Sequence, residues 1–194
     1  MTASRVPALC CKTNLDEMRI REAEGYLSLV TACSGSWEPP AELRDPLVRR
    51  AMAALDRLSD AERRKPYVLY LEGEALRTME RYPEAIRVLR QATESEPDNV
   101  GLWLALGWCF KRLRRLDRAI ESLEKALSIQ PDSALIHYNL ACYWSLAGNV
   151  DVAVAYLTNA FDIDDSYRKL VAGESDFDPI RHTGLFRDAM RIVV

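Results

Sequence analysis

The chain is predicted to be all-α, a series of helix–turn–helix units, on three observations. The segments "AIRVLRQA" (85–92), "AIESLEKA" (119–126) and "AVAYLTNA" (153–160) share an A-h-x-x-L-x-x-A pattern, where h is apolar, and start 34 residues apart. Upstream of them, "LYLEGEAL" (69–76), "WLALGWCF" (103–110) and "HYNLACYW" (137–144) carry Gly73, Gly107 and Ala141 in the same register. After the second helix of each pair comes "EPDN", "QPDS" or the degraded "DDSY". A fixed period of this length marks a supersecondary unit that buries its apolar face only by stacking on its neighbours.

Each element follows from that frame. In the first helix of each pair, the apolar residue lies four positions before the small residue (Leu69, Trp103, His137) and again three after it (Leu76, Phe110, Trp144). This is the spacing of one buried helix face, and the small residue on it marks close helix crossing. In the second helix, alanines seven apart fall on nearly one face and admit a neighbouring helix. The turns are "ERYP", "RRLD" and "AGNV". Pro97 and Pro131 end one helix, and Asp98 or Asp132 is expected to cap the next.

A weaker copy, "AMAALDRL" (51–58), lies one period upstream, and "REAEGYLSLV" (21–30) echoes the first helix with Gly25 in the role of Gly73. Their separation exceeds that of a regular unit by 14 residues, so a loop is expected at 32–46, "ACSGSWEPPAELRDP". The expected organisation is an N-terminal extension (1–13), an irregular helical pair (14–65), regular units at 66–99, 100–133 and 134–167, and a terminal cap (168–194). Leu170, Val171, Phe177, Ile180, Leu185, Phe186 and Met190 supply the cap's apolar residues.

Bulk properties exclude several classes. A net charge of −3 over 194 residues provides no global field for nucleic acid or an anionic membrane. No apolar run reaches the length of a spanning helix, and the Val6–Leu9 stretch is too short for a signal peptide. A cytoplasmic protein is the expectation. Five cysteines (Cys10, Cys11, Cys33, Cys109 and Cys142) without C-x-x-C spacing read as reduced thiols. With only His137 and His182 to add, a zinc site needs scattered residues to converge. No metal and no cofactor are expected, and no glycine-rich phosphate loop is present.

The densest chemistry is "HYNLACYWSLAGN" (137–149). At about 100° per residue, His137, Leu140, Ala141 and Trp144 share one face, and His137 lies about 140° from Cys142. Within this helix they form no thiolate–imidazole pair. His137 takes the register of Trp103 and Leu69, so it reads as a packed, hydrogen-bonded core histidine. Asp164/Asp165 and Asp176/Asp178 read as caps or solvated carboxylates, not acid–base pairs. The basic run "KRLRRLDR" (111–118) spans a helix C-terminus and turn, where the helix dipole favours positive charge. No catalytic residue is expected.

The period, the small residues in register and the Pro-Asp ends resemble the tetratricopeptide repeat family. The N-terminal pair, "YNLACYWSLAG" and the tail "DFDPIRHTGLFRDAM" resemble small bacterial members of undefined function. The resemblance implies a right-handed superhelix of helix pairs whose first helices line a concave groove. On that groove it implies Tyr67, Tyr70, Glu74 and Arg77 from one repeat, then Leu104, Trp108, Lys111 and Arg112, then Tyr138, Asn139 and Cys142. An aromatic stripe with a basic edge suits a peptide or helix of a partner protein. The carboxylate clamp of chaperone-binding members is incomplete: Asn139 matches one position, but Tyr70/Glu74 and Leu104/Trp108 stand where Lys and Asn are required. The implied function is a non-enzymatic interaction scaffold. The alternative is a secretion- or assembly-type chaperone holding an apolar client segment, with a homodimer left open.

Overall fold

Helix starts recur with the period of the sequence in the computed structural model, which describes the backbone of residues 8–31 and 40–191 and the side chains of residues 15–30 and 40–191. Helices α4 (Pro66–Thr78), α6 (Val100–Arg112) and α8 (Ala134–Leu146) begin 34 residues apart, as do their partners α5 (Tyr82–Ser95), α7 (Leu116–Ile129) and α9 (Val150–Ile163). Upstream lie α1 (Ala8–Thr31), α2 (Ala41–Asp56) and the short α3 (Asp60–Arg63); downstream lie α10 (Arg168–Val171) and α11 (Gly184–Arg191). Two 3-10 turns, Asp165–Tyr167 and Ser175–Phe177, complete the end. Among the described residues there is no strand. The fold is all-α, with sequential helices packed as pairs, in two compact units, Met1–Pro97 and Asp98–Val194.

The turn inside each regular pair is a backbone device. Glu80, Arg114 and Gly148 occupy the same repeat position, and all three have positive φ (59°, 59° and 79°). The next amide closes the helix end each time: Arg81 N–H donates to Leu76 O, Arg115 N–H to Phe110 O and Asn149 N–H to Trp144 O, at 2.9, 2.9 and 3.0 Å. This satisfies carbonyls that a helix C-terminus leaves bare. Only the last repeat uses the residue to which a left-handed backbone costs least.

The small residues sit where the pairs cross. A Cβ on Gly73 would stand 2.5 Å from Leu89 Cδ2, and one on Gly107 would stand 3.3 Å from Leu123 and from the Ala119 carbonyl. The third pair accommodates Ala141, fully buried in one cluster with Ala153 and Leu157.

Four expectations are corrected. The small buried residue of α1 is Ala23, packed with Ala51 and Ala54; Gly25 is exposed, with open space where its Cβ would be. Helix α2 starts at Ala41, so the loop does not extend to Pro46, which lies inside the helix; residues 32–39 lie outside the described ones. A proline this near a helix start removes one main-chain bond, a loss the remaining turns absorb. The caps of α6 and α9 are Asn99, accepting from Gly101 N–H at 3.1 Å, and Asn149, accepting from Val152 N–H at 3.2 Å, while Ser133 stands at the start of α8; Asp98 and Asp132 are not in those positions. In the cap, Val171, Phe177, Ile180 and Phe186 are buried, with Met190 partly so. Leu170 and Leu185 instead face solvent at 54% and 47% exposure.

Candidate partner-binding site

The eleven residues expected on a groove have two different environments. In the first unit, Tyr67, Tyr70 and Glu74 of α4 line an open cleft of about 350 Å³, closed on its other side by Glu24, Leu27 and Ser28 of α1. The four-residue and three-residue spacings of α4 put these side chains on one face. Tyr67 is half exposed and donates its hydroxyl to the Glu24 carboxylate. That bond, then burial, holds the phenol in its neutral form and pushes its pKa up to about 12. Burial raises Tyr70 as well, with Glu74 adding to the rise and Arg77 opposing it. Arg77 does not reach for a ligand: its Nε donates to Glu74 at 3.0 Å and its Nη2 to the other carboxylate oxygen. The cleft therefore presents two tyrosine faces and two carboxylates, each already bonded within the unit.

In the second unit, the expected contacts on α8 are covered. Tyr138 and Cys142 are buried at 6% and 2% exposure beneath the cap. The Tyr138 ring packs on Phe177 edge-on at 5.7 Å and on Tyr167 at 5.2 Å. Asn139 is half-buried. Lys111 is also engaged, forming an ion pair with Asp176 of the cap and lying 5.6 Å from the Tyr143 ring centre. Ser145, fully buried, donates to the Asp176 carbonyl at 2.7 Å. A basic residue, an aromatic ring and a hydroxyl thus do grip an acidic, aromatic segment, but that segment is residues 174–177 of the same chain. Asp176 is accordingly no solvated surface acid; it is the cap's anchor, and 65 residues separate it from its partner. No local sequence signal predicts such a pairing.

The rest of the α6 set is partly packed. Leu104 lies against the second unit's core, and Trp108 is half-buried with the Arg112 guanidinium 5.4 Å from its ring centre. Within the basic run, Arg115 stacks over Phe110 at 5.8 Å, and Arg118 pairs with Glu121 at 2.8 Å. These charges are held locally instead of forming a stripe.

His137 behaves as a core residue: it is 9% exposed, its Nε2 lies 2.9 Å from the Pro131 carbonyl, and its ring stacks with Tyr156. Asp164 caps a turn by accepting from Ser166 N–H at 2.9 Å. Burial, then the Asp176 and Glu174 carboxylates, push the Cys142 thiol up, with Lys111 opposing. That direction is opposite to what a nucleophile needs. Cys109 is a buried free thiol as well, while the Cys10 and Cys11 side chains and Cys33 lie outside the described residues. No helix among the described residues is long and apolar enough to cross a membrane.

Comparison with known proteins fits this geometry. Residues 70–134 match the tetratricopeptide repeat family. Anaphase-promoting complex subunit 3 of Dictyostelium discoideum is 36% identical over 55 residues, which are 28% of this chain and 6% of that protein. Solved structures of MamA share the fold. A MamA crystal structure aligns over 87% of this chain and 99% of its own, with TM-score 0.59 and 20% identity. MamA 41-end from Desulfovibrio magneticus RS-1 aligns over 80% and 94%, with TM-score 0.59 and 17% identity. The repeated helix pairs, the crossing glycines, the family match and these neighbours agree that the chain is built of tetratricopeptide repeats.

Proposed function

We propose that the chain is a non-enzymatic interaction module that takes a peptide or helix of a partner protein in the cleft between α1 and α4. One observation carries this reading: Tyr67, Tyr70 and Glu74 line an open cleft, whereas Tyr138 and Cys142, their expected counterparts in the third repeat, are covered by the cap. Tyrosines suit such a surface because each offers a flat apolar face with a polar edge. A volume of about 350 Å³ holds an anchoring side chain with its flanking backbone. The relative in Dictyostelium is named as a subunit of a complex, in keeping with a scaffold.

The chaperone alternative draws on a separate observation. Leu15, Met18 and Leu29 on α1 are 46%, 62% and 59% exposed, and helical spacing sets Met18 and Leu29 about opposite Ala23 and Leu27. Such a stripe suits an apolar client or a second copy of the chain.

The test installs a photoreactive benzophenone side chain at position 70, and separately at Arg90 on the exposed face of α5, in the full chain in its native extract. Crosslinking to one protein at 70 and not at 90 supports the cleft. Equal yields at both positions, or no adduct at 70, reject it. Adducts to many unrelated proteins favour the chaperone reading.

A further inference from the structure

At the foot of the cap the second unit gathers three ligand atoms from two elements. Cys142 Sγ on α8 and one carboxylate oxygen each from Glu174 and Asp176 lie within 4.8 Å of one another. The Glu-x-Asp pair is brought there by the 3-10 turn that Glu174 begins, its side chain accepting from Asp176 N–H at 3.1 Å. A further group meets them. Tyr138, one helical turn before Cys142, is 6% exposed, and its hydroxyl has no hydrogen-bond partner; it interacts electrostatically with Cys142, Glu174 and Asp176. Leaving a buried hydroxyl unsatisfied costs about 1–3 kcal/mol, a cost that a bound ion or its water removes. The charges are also unbalanced, with two carboxylates facing the single ammonium of Lys111.

We propose that Cys142, Glu174 and Asp176 form a binding site for one divalent cation of the zinc class, with the Tyr138 hydroxyl beside the fourth position. A thiolate with two carboxylates selects zinc-like ions over magnesium or calcium, which take oxygen ligands alone. With bonds of about 2.3 Å to sulfur and 2.0–2.2 Å to oxygen, the three atoms close around the ion by side-chain rotation. On binding, the Cys142 S–H proton leaves to solvent as the sulfur–metal bond forms. The thiolate, the two carboxylates and Lys111 then balance the ion's two positive charges. Lys111 keeps Asp176 Oδ2, its partner here, and Oδ1 is left for the metal. The ion ties α8 to the cap. Its rival is Lys111 itself, which would neutralise the cluster without any metal.

The experiment titrates the full reduced chain with CoCl2 and follows the thiolate-to-cobalt charge-transfer absorption, then repeats the titration by calorimetry with ZnCl2. Wild type is expected to take one equivalent. Cys142→Ser loses the cobalt band, Glu174→Gln weakens zinc binding tenfold or more, and a Cys10→Ser/Cys11→Ser/Cys33→Ser variant keeps both signals. A cobalt band that survives in Cys142→Ser overturns the proposal, because the ion then sits on other thiols. So does a wild type that gives no band at millimolar cobalt while circular dichroism shows it folded. Glu174 is the more exposed ligand, so its variant decides the matter if Cys142→Ser fails to fold.

Discussion

Lys111 near the end of α6 and Asp176 in the terminal cap form an ion pair across 65 residues of sequence, with side chains only 23% and 11% exposed. Lys111→Met leaves the Asp176 carboxylate partly buried without its counter-ion and is expected to cost about 3 kcal/mol. Adding Asp176→Asn to Lys111→Met should restore part of that loss. Urea unfolding of the single and double variants measures the coupling; additive losses would mean the pair is not coupled.

Gly73 and Gly107 occupy one repeat position, but their surroundings differ. A methyl group at 73 meets Leu89 at 2.5 Å inside a filled core, whereas at 107 the nearest atoms are 3.3 Å away. Gly73→Ala should therefore destabilise by about 1–3 kcal/mol, and Gly107→Ala by clearly less. Thermal unfolding of both variants checks the order.

Glu80 and Arg114 hold a left-handed backbone that Gly148 holds at the same place in the last repeat. Glu80→Gly and Arg114→Gly should each stabilise the chain or leave it unchanged, since relief of about 1 kcal/mol of strain is set against a looser unfolded chain. Gly148→Ala should destabilise by about 1 kcal/mol. Denaturant midpoints report the signs.

The Tyr67–Glu24 bond makes one side of the cleft readable by titration. In tyrosine-labelled protein followed by carbon NMR, the Tyr67 signal should titrate near pH 12, against about 10 for an ordinary phenol. Glu24→Gln removes the carboxylate acceptor that favours the neutral phenol, so its midpoint should fall toward 10. An unmoved midpoint would mean that burial alone sets it.

Tyr70→Ala and Tyr138→Ala separate surface from core. Tyr138 is buried among Phe177, Tyr167 and Cys142, so its truncation should cost about 3–5 kcal/mol. Tyr70 borders an open cleft, and its truncation should cost about 1 kcal/mol while abolishing partner crosslinks from that cleft. Equal losses of melting temperature would assign Tyr70 to packing.

The helix pairs were legible because each is written in local spacing: an apolar residue four positions before and three after a small one, repeated at constant period. The face of α8 was legible only in part. Spacing separates Tyr138 and Cys142 from His137 and Ala141, but it does not say what covers that second face. The cover comes from Asp176 and Phe177, more than thirty residues downstream, through an ion pair and a ring contact that leave no periodic trace. Likewise, Gly25 resembles Gly73 by its flanking residues, yet Ala23 faces α2, because the N-terminal pair departs from the regular period.

The cap's part in the second unit's core also imposes an order in time. Phe177, Ile180 and Phe186 belong to the same cluster as Tyr138, Leu140 and Leu157, but the ribosome delivers them last. The helical pairs can close one after another as they emerge, while α8 waits with its second face wet until the tail follows. A stall in synthesis between residues 163 and 176 would therefore release a chain whose repeats are formed and whose last helix pair is still sticky, the species that quality-control factors bind.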